Sequence, residues 1–421
     1  VVPDRTDNFA GFPEGYRNGL PASHGQHSCI LLLNLTENCN YRCPTCYASA
    51  LDPGSQTVER PTLKELLHTV DVMIEREQGR QSVIMLSGGE PTLRRDIEEL
   101  IRELCQRPVT RIMLNTNGRR IAKDDRFLAF LSQHRDKVEI YLQFDGMKES
   151  THLALRGEEL NAEKALVLKR LNEAKIFTTL VMTIKKGVND DEVKTVFDLG
   201  RETPYCSGIA FQPVFGSGRN SGIDGMDRVT PTGILKRLGL ADDFIPLPCS
   251  HRDCCDIGYF IKDNKGQWRS LMEIVGRERM KEWIHLASNT ISFENVGESL
   301  KSMIKEGVLQ RVFSEQQKTS SLQIAWDLMK MCDCVPGVRD LFTSLWPGSK
   351  KPDLESLATN TFRVTVKMFM DAHTFHEARI RQCCVHVGTF EEDPRRHSFC
   401  WRWMFEDAQD FPERISTLPM R

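Results

Sequence analysis

Three thiols stand on one short stretch: Cys39, Cys43 and Cys46 in LTENCNYRCPTCYASA, directly after the apolar run CILLLNL. A closed structural zinc site asks for four ligands, usually from two Cys-x2-Cys-like pairs. Here the spacing is Cys-x3-Cys-x2-Cys, with no fourth cysteine or histidine nearby. A cubane [4Fe–4S] cluster takes one ligand per iron. Three thiolates on one tight loop would hold three irons and leave the fourth open, and an open, Lewis-acidic iron can bind a small molecule directly. A zinc knuckle completed by a remote ligand is the alternative reading.

The elements that would position this loop are short β-rich runs alternating with amphipathic patterns. The runs CILLLNL, SVIML, RIMLNT, VEIYLQF, TTLVMTI and GIAFQP read as strands. Leu63, Leu66, Leu67, Val70, Met73 and Ile74 recur at helical spacing between the first two. Ile97, Leu100, Ile101 and Leu104 do the same, as do Phe127, Leu128 and Leu131, and then Ala165, Leu168 and Leu171. Such alternation implies a parallel sheet with crossover helices. Six units are too few for an eight-fold barrel, so the expectation is an α/β fold with an open or partial barrel. Parallel α/β folds bind ligands at the carboxyl ends of their strands. After the first strand comes the cysteine loop, after the second SGGEPT, after the third NTNG, after the fourth FDG, and the sixth runs into VFGSGR. Turn chemistry explains any one of these, but not Glu90, Asn115, Asn117, Gln143 and Asp145 gathered at one rim.

With the cysteine loop after the first strand and GGEP after the second, residues 29–215 resemble the radical S-adenosylmethionine (SAM) superfamily, which implies a partial (βα)6 TIM-like barrel. The resemblance implies SAM bound through its amino and carboxylate groups at the open iron of a [4Fe–4S] cluster. Reductive cleavage would yield a 5′-deoxyadenosyl radical that abstracts hydrogen from substrate. On this chain Cys39, Cys43 and Cys46 would hold the cluster. Gly88, Gly89, Glu90 and Pro91 would meet the SAM amino group, and the backbone at Tyr47 the adenine. Asn115, Gln143 and Asp145 become candidates for ribose or substrate contacts, and Arg156 for the SAM carboxylate.

From about residue 216 the pattern changes. A Gly/Ser-rich connector, GSGRNSGIDG, leads into sequence that reads as mainly helical, including GILKRLGL, GESLKSMIKEGVLQRVF and SLQIAWDLMKM. The expected division is a lead segment at 1–28, the core at 29–215 and a helical, cysteine-rich extension at 216–421. Cysteines recur there in PCSHRDCC, MCDCVPG, RQCCVHV and FCWRWM. The pieces PCSHRDCC, FMD, RQCCVH and FC, in that order, resemble the archaeal tetraether-lipid synthases and the related pterin methyltransferases. That narrower resemblance implies an auxiliary [4Fe–4S] cluster held by some of Cys249, Cys254, Cys255, Cys383, Cys384 and Cys400. Structural zinc or buried free thiols are the alternatives, and Cys332 and Cys334 have no counterpart. Where that group has a further cysteine set before the first strand, this chain reads GFPEGYRNGLPASHGQH without one, so a third cluster is not expected.

Composition limits the partners. Fifty-six Lys and Arg against 58 Asp and Glu give a net charge of −2, so no global field favours nucleic acid. The apolar runs are strand-sized, too short to span a bilayer, and the polar start VVPDRTDNFAG has no signal-peptide pattern. Fourteen cysteines without a secretory signature fit a reducing, cytoplasmic setting, where thiols bind metal or do chemistry. Cys105 and Cys206 instead fit small buried hydrophobes. The implied partners are a small-molecule or lipid-like substrate and an electron donor such as flavodoxin or ferredoxin. The expected reaction is hydrogen abstraction from an unactivated C–H bond with a new bond formed at that carbon. Transfer of a methyl or aminocarboxypropyl group from SAM is the alternative, and a non-enzymatic metal-binding scaffold a further one.

Overall fold

In the computed structural model the described residues are 28–54, 61–77, 79, 81–247, 250–263, 265–278, 280 and 354–406. The first part alternates strands and helices: β1 (Ile30–Asn34), α1 (Leu63–Arg76), β2 (Gln81–Ser87), α2 (Ile97–Cys105), β3 (Val109–Thr116), α3 (Arg119–Lys123) and α4 (Asp125–Gln133). It continues through β4 (Val138–Gln143), α5 (Glu149–Arg156), α6 (Asn161–Glu173), β5 (Thr178–Ile184), α7 (Val193–Glu202) and β6 (Cys206–Pro213). The six strands and helices α1, α2, α4 and α6 lie where the periodicity places them, whereas α3, α5 and α7 were not read from the sequence. Helix α1 shows why: Thr62 and Glu65 make a reciprocal capping box, and Leu66, Val70, Met73 and Ile74 form its buried stripe.

The second part adds α8 (Pro231–Leu238), β7 (Ile245–Pro246), β8 (Cys255–Lys262), β9 (Trp268–Ser270), α9 (Leu271–Val275), α10 (Leu354–Thr359), β10 (Thr361–Lys367), α11 (Glu377–Arg381), β11 (Val385–Gly388) and β12 (Arg396–Ser398). Strand β10 pairs parallel with β6, and β11 pairs parallel with β1. Eight parallel strands therefore run in the order β11-β1-β2-β3-β4-β5-β6-β10, flanked by antiparallel β12 and β8. The outermost parallel strands, β10 and β11, do not pair with each other, so the barrel stays open at that seam.

This corrects the expectation of a mainly helical second half, as far as its described residues go. The expected helix in GILKRLGL is present as α8, whereas GESLKSMIKEGVLQRVF, SLQIAWDLMKM, Cys249, Cys332 and Cys334 lie outside the described residues. The missed signal is a period of two in TFRVTVK. Phe362, Val364 and Val366 are fully buried on the outer face, while Arg363, Thr365 and Lys367 point the other way and line cavities.

Alternation also sorts the rest of the sheet. Leu31, Leu33, Ile84, Leu86, Ile112, Leu114, Ile140 and Leu142 pack outward in the larger core beneath the helices. Leu32, Met85, Met113, Tyr141, Val181 and Ala210 face inward, in a second cluster with Phe399, Trp401 and Trp403. The Trp-rich tail is thus core. Cys206 lies in the larger core and Cys105 packs against it. Among the described residues no helix is long and apolar enough to cross a membrane.

Candidate active site

The strand ends build a cavity of about 150 Å³ lined by Cys39, Cys43, Cys46, Tyr47, Gly88, Gly89, Glu90, Asn115, Gln143 and Arg156, among others. The three thiols and the GGEP turn, apart in sequence, thus share one space. Backbone bonds lock them together: Gly89 N–H donates to Thr36 O at 2.7 Å and Glu90 N–H to Asn38 O at 2.8 Å. A Cβ at Gly88 or Gly89 would overlap the Thr36 and Asn38 carbonyls, and Gly88 has φ +126°. Only glycine lets the turn lie so close to the cysteine loop.

Glu90 is buried and its carboxylate is already occupied. It accepts from Thr92 N–H at 3.1 Å, Thr92 Oγ1 at 2.6 Å, Thr116 Oγ1 at 2.7 Å and Asn117 N–H at 2.8 Å. Its side chain therefore ties the turn to the end of β3, and the neighbouring glycine backbone is what remains to meet a ligand. Pro91 is buried and opens the 3-10 turn Pro91–Leu93, behind the cavity wall.

A polar chain crosses the strand ends. Asn115 Nδ2 donates to Ser87 Oγ at 2.9 Å, and Gln143 Nε2 donates to Asn115 Oδ1 at 2.8 Å. Arg156 Nη2 donates to Gln143 Oε1 at 3.1 Å and to Thr183 Oγ1 at 3.2 Å. The Arg156 guanidinium is clamped by Asp145, Nε to Oδ2 at 2.5 Å and Nη2 to Oδ1 at 2.7 Å. Its remaining nitrogen, Nη1, faces Cys43 Sγ at 3.8 Å. Asp145 does not line the cavity. Burial opposes its charge, but Arg156 beside it holds its carboxyl below the usual range. Its carboxylate is taken up by Arg156, so of the candidates for ribose or substrate contacts Asn115 and Gln143 line the cavity and Asp145 does not.

Burial pushes the Cys39 thiol up to about 12, and raises Cys43 as well, there opposed by Arg156. Protonated thiols must lose their protons to bind metal, so loading iron couples to proton release. The loop is braced from behind by residues the sequence did not single out. Arg219, beyond β6, donates to the carbonyls of Cys43 at 3.3 Å and Ala50 at 2.5 Å, and Ser217 Oγ donates to Tyr47 O at 3.0 Å. Asp371 of the FMD segment accepts from Gly216 N–H at 2.8 Å and holds that clamp to the second half. The Tyr47 ring packs on Phe215, Phe399 and Trp403.

A second cavity, of about 220 Å³, opens at the unpaired seam between β10 and β11. Cys254, Cys255, Cys383, Cys384 and Cys400 all line it, joined by Cys29, which the sequence reading treated only as part of a strand. Arg111, Arg363, Lys367 and Arg379 line it too, with no carboxylate among its lining residues. Arg379 Nε lies 3.4 Å from Cys254 Sγ, and Met370 N–H points at Cys400 Sγ from 3.3 Å. Burial pushes Cys255 and Cys400 up to about 12 and Cys383 to about 11. Among the described residues no three cysteine, histidine or carboxylate side chains converge on a single-ion position.

The family model described as "Radical SAM superfamily" matches residues 33–200, the span that carries both motifs of the first cavity. The chain carries a radical SAM domain. Along 420 aligned residues the chain is 27% identical to 7,8-dihydro-6-hydroxymethylpterin dimethyltransferase of Methanocaldococcus jannaschii, covering 91% of this chain and 78% of that one. It is also 27% identical to GTP 3′,8-cyclase of Staphylococcus saprophyticus over 246 residues, 56% of this chain and 69% of the cyclase. Among solved structures it is similar to Streptococcus suis SuiB bound to S-adenosylmethionine, at TM-score 0.38 and 15% identity, over 45% of this chain and 42% of that one. The superfamily works with SAM and a [4Fe–4S] cluster, and the donor set fits both: three thiols with no fourth cysteine or histidine among the described lining residues, beside a turn whose glycines line the cavity.

Proposed function

We propose that this radical SAM enzyme abstracts hydrogen from an unactivated C–H bond and forms a new bond at that carbon, with an auxiliary [4Fe–4S] cluster in the thiol-lined cavity. The observation that carries this reading is the pair of thiol-lined cavities, one beside the GGEP turn and one adjoining it across a shared wall. When bound, SAM and the first cluster supply a one-electron cleavage to methionine and a 5′-deoxyadenosyl radical, the species that takes hydrogen from substrate. Cys39, Cys43 and Cys46 would hold that cluster, and Gly88 and Gly89 would present their backbone to the SAM amino group. Asn115 and Gln143 supply polar contacts to ribose or substrate, and the backbone at Tyr47 meets the adenine.

Arg156, fixed by Asp145, lies too close to Cys43 to serve SAM alone, and its charge favours the thiolate. The apolar walls from Leu32, Met85 and Phe215 keep the site dry, as a carbon radical requires. The second cavity suits a thiolate-bound cluster because its donors are sulfur and its charged lining is all cationic. The name of the methanogen relative favours transfer of a SAM-derived methyl group as the second reading. The partner classes are a small or lipid-like substrate and a flavodoxin- or ferredoxin-type donor in the cytoplasm.

Anaerobic reconstitution with iron and sulfide, then reduction with SAM and 7,8-dihydro-6-hydroxymethylpterin as trial substrate, provides the test. Methionine and 5′-deoxyadenosine are the expected products. S-adenosylhomocysteine in addition would establish the methyl-transfer reading. A fully loaded enzyme that yields none of these, with or without the pterin, would sink the radical mechanism.

A further inference from the structure

Between the two cavities stands a common wall of Ile30, Tyr141, Lys367, Phe369, Val385 and Phe399. Four of these are apolar, so the two polar heads decide what can be held there. Tyr141, on β4, is almost fully buried at 4% exposure. Its hydroxyl oxygen accepts from Gln212 Nε2 at 2.8 Å and from Lys367 Nζ at 3.1 Å. With two donors already on the oxygen, the phenol's own hydrogen is left to give away. Among the described residues no acceptor takes it.

Lys367, at the end of β10, has three donors and uses one. It forms no ion pair with a carboxylate among the described residues. Its other neighbours are the Tyr141 ring, 5.3 Å from Nζ, and the Cys255 thiol at the head of β8. Glu90, which lines the first cavity, is saturated by Thr92, Thr116 and Asn117, and no carboxylate lines the second. A half-buried ammonium that faces two cavities with no carboxylate beside it is costly, and a bound anion lowers the cost.

We propose that the Tyr141 hydroxyl and the Lys367 ammonium form a receptor for a negatively charged oxygen of the substrate, such as a carboxylate, phosphate or ionised lactam. Gln212 positions the phenol. The aromatic faces of Phe369 and Phe399 complete the wall, so the oxygen is bound beside apolar surface. A substrate anchored there faces the SAM cavity on one side and the cysteine cavity on the other. The proposal rests on the function proposed above only in placing substrate next to SAM.

The test uses the reconstituted enzyme with S-adenosylhomocysteine, which lacks the sulfonium that reduction cleaves, in place of SAM, and sodium 13C-formate as the probe. Reduced, paramagnetic clusters speed the 13C relaxation of any formate held nearby. Wild type is expected to show saturable enhancement. Lys367→Met should weaken the apparent affinity by roughly tenfold or more, the size of a lost charge-assisted hydrogen bond. Lys367→Arg should stay within a few-fold of wild type, and Tyr141→Phe should fall between, so a misfolded Met variant does not decide the matter. No enhancement in wild type, or the same affinity in Lys367→Met, overturns the receptor. So does an equal loss of SAM affinity in Lys367→Met, which would give the site to the cofactor's carboxylate. A loss of one cluster's iron in all three variants would make Lys367 a cluster counter-ion and also overturn it. A wild-type chain with no iron–sulfur absorbance would sink the proposed function and the receptor together, whereas a loaded wild type blind to formate sinks the receptor alone.

Discussion

The two thiol-lined cavities are built by opposite routes. Cys39, Cys43 and Cys46 come from a single loop, and the charges around them balance: Asp145 pairs Arg156, Glu158 and Glu163 pair Arg119, and buried Lys164 sits near Asp145. The thiols of the second cavity come from the start of β1, the turn before β8, the turn before β11 and the end of β12, and its charged lining is cationic throughout. A loop that carries its own ligands makes a site wherever it is displayed. A site assembled from four places exists only when the sheet is complete; of its cationic lining, Arg363 is met by Glu139 from outside the cavity, whereas Lys367 has no carboxylate partner among the described residues. The first region is preorganised by contacts around one loop, the second by the pairing of strands far apart in sequence.

The largest effect that would break this division is Cys43→Ala. It is expected to reduce 5′-deoxyadenosine formation to background while about four irons per chain, one cubane, remain. Loss of all iron on analysis would show that the cavities do not load independently. Next, Cys384→Ser, with Cys254→Ser as its partner, should lose the second cluster's iron and sulfide yet keep a SAM-perturbed EPR signal from the first. Disappearance of that signal would merge the two sites.

A smaller effect sharpens the electrostatic contrast. Arg156→Gln removes a positive charge beside Cys43, which disfavours the more negative reduced state. The first cluster's midpoint potential should fall by on the order of 59 mV, a tenfold shift for one electron, with the second cluster's unchanged. An unshifted potential in a fully loaded variant would show that Arg156 only packs.

The smallest effect concerns Lys164, whose Nζ donates to Asn117 O at 2.5 Å and which burial lowers from 10.5 to about 8. The unfolded chain keeps that proton to about 10.5, so between those values the unfolded state binds more protons and stability rises with pH. Below pH 8 the folded protein carries the whole penalty of the buried charge. The stability gap between Lys164→Met and wild type should therefore shift in wild type's favour from pH 7.5 to 9.5, by roughly 2 kcal/mol. Equal denaturation midpoint differences at the two pH values would mean that Lys164 stays charged, its neighbours offsetting the burial.

Legibility followed the range of the interactions. β1 to β6 and helices α1, α2, α4 and α6 were readable because apolar period and turn residues are local signals, and the cysteine loop with GGEP was readable because each motif is contiguous. Strands β10 and β11 were not, since TFRVTVK and VHVG are short and each finds its partner far away in sequence, at β6 and β1. Cys29 passed as a strand residue for the same reason. Glu90 and Asp145 were read as members of one rim; Glu90 lines the cavity and Asp145 stands behind it. What sequence could not say is that their carboxylates are already occupied, one by the turn and β3, the other by Arg156.

By itself, then, the sequence determined the α/β alternation, the three-thiol loop and the glycine turn, because the chemistry of each resides in neighbouring residues. Tertiary structure alone decided that the second half completes an eight-strand parallel run, that distant cysteines share one cationic cavity, and that Tyr141 and Lys367 point donors into the wall between the cavities. Those features depend on strand order and on which face each residue takes, and neither is written in any local stretch of the chain.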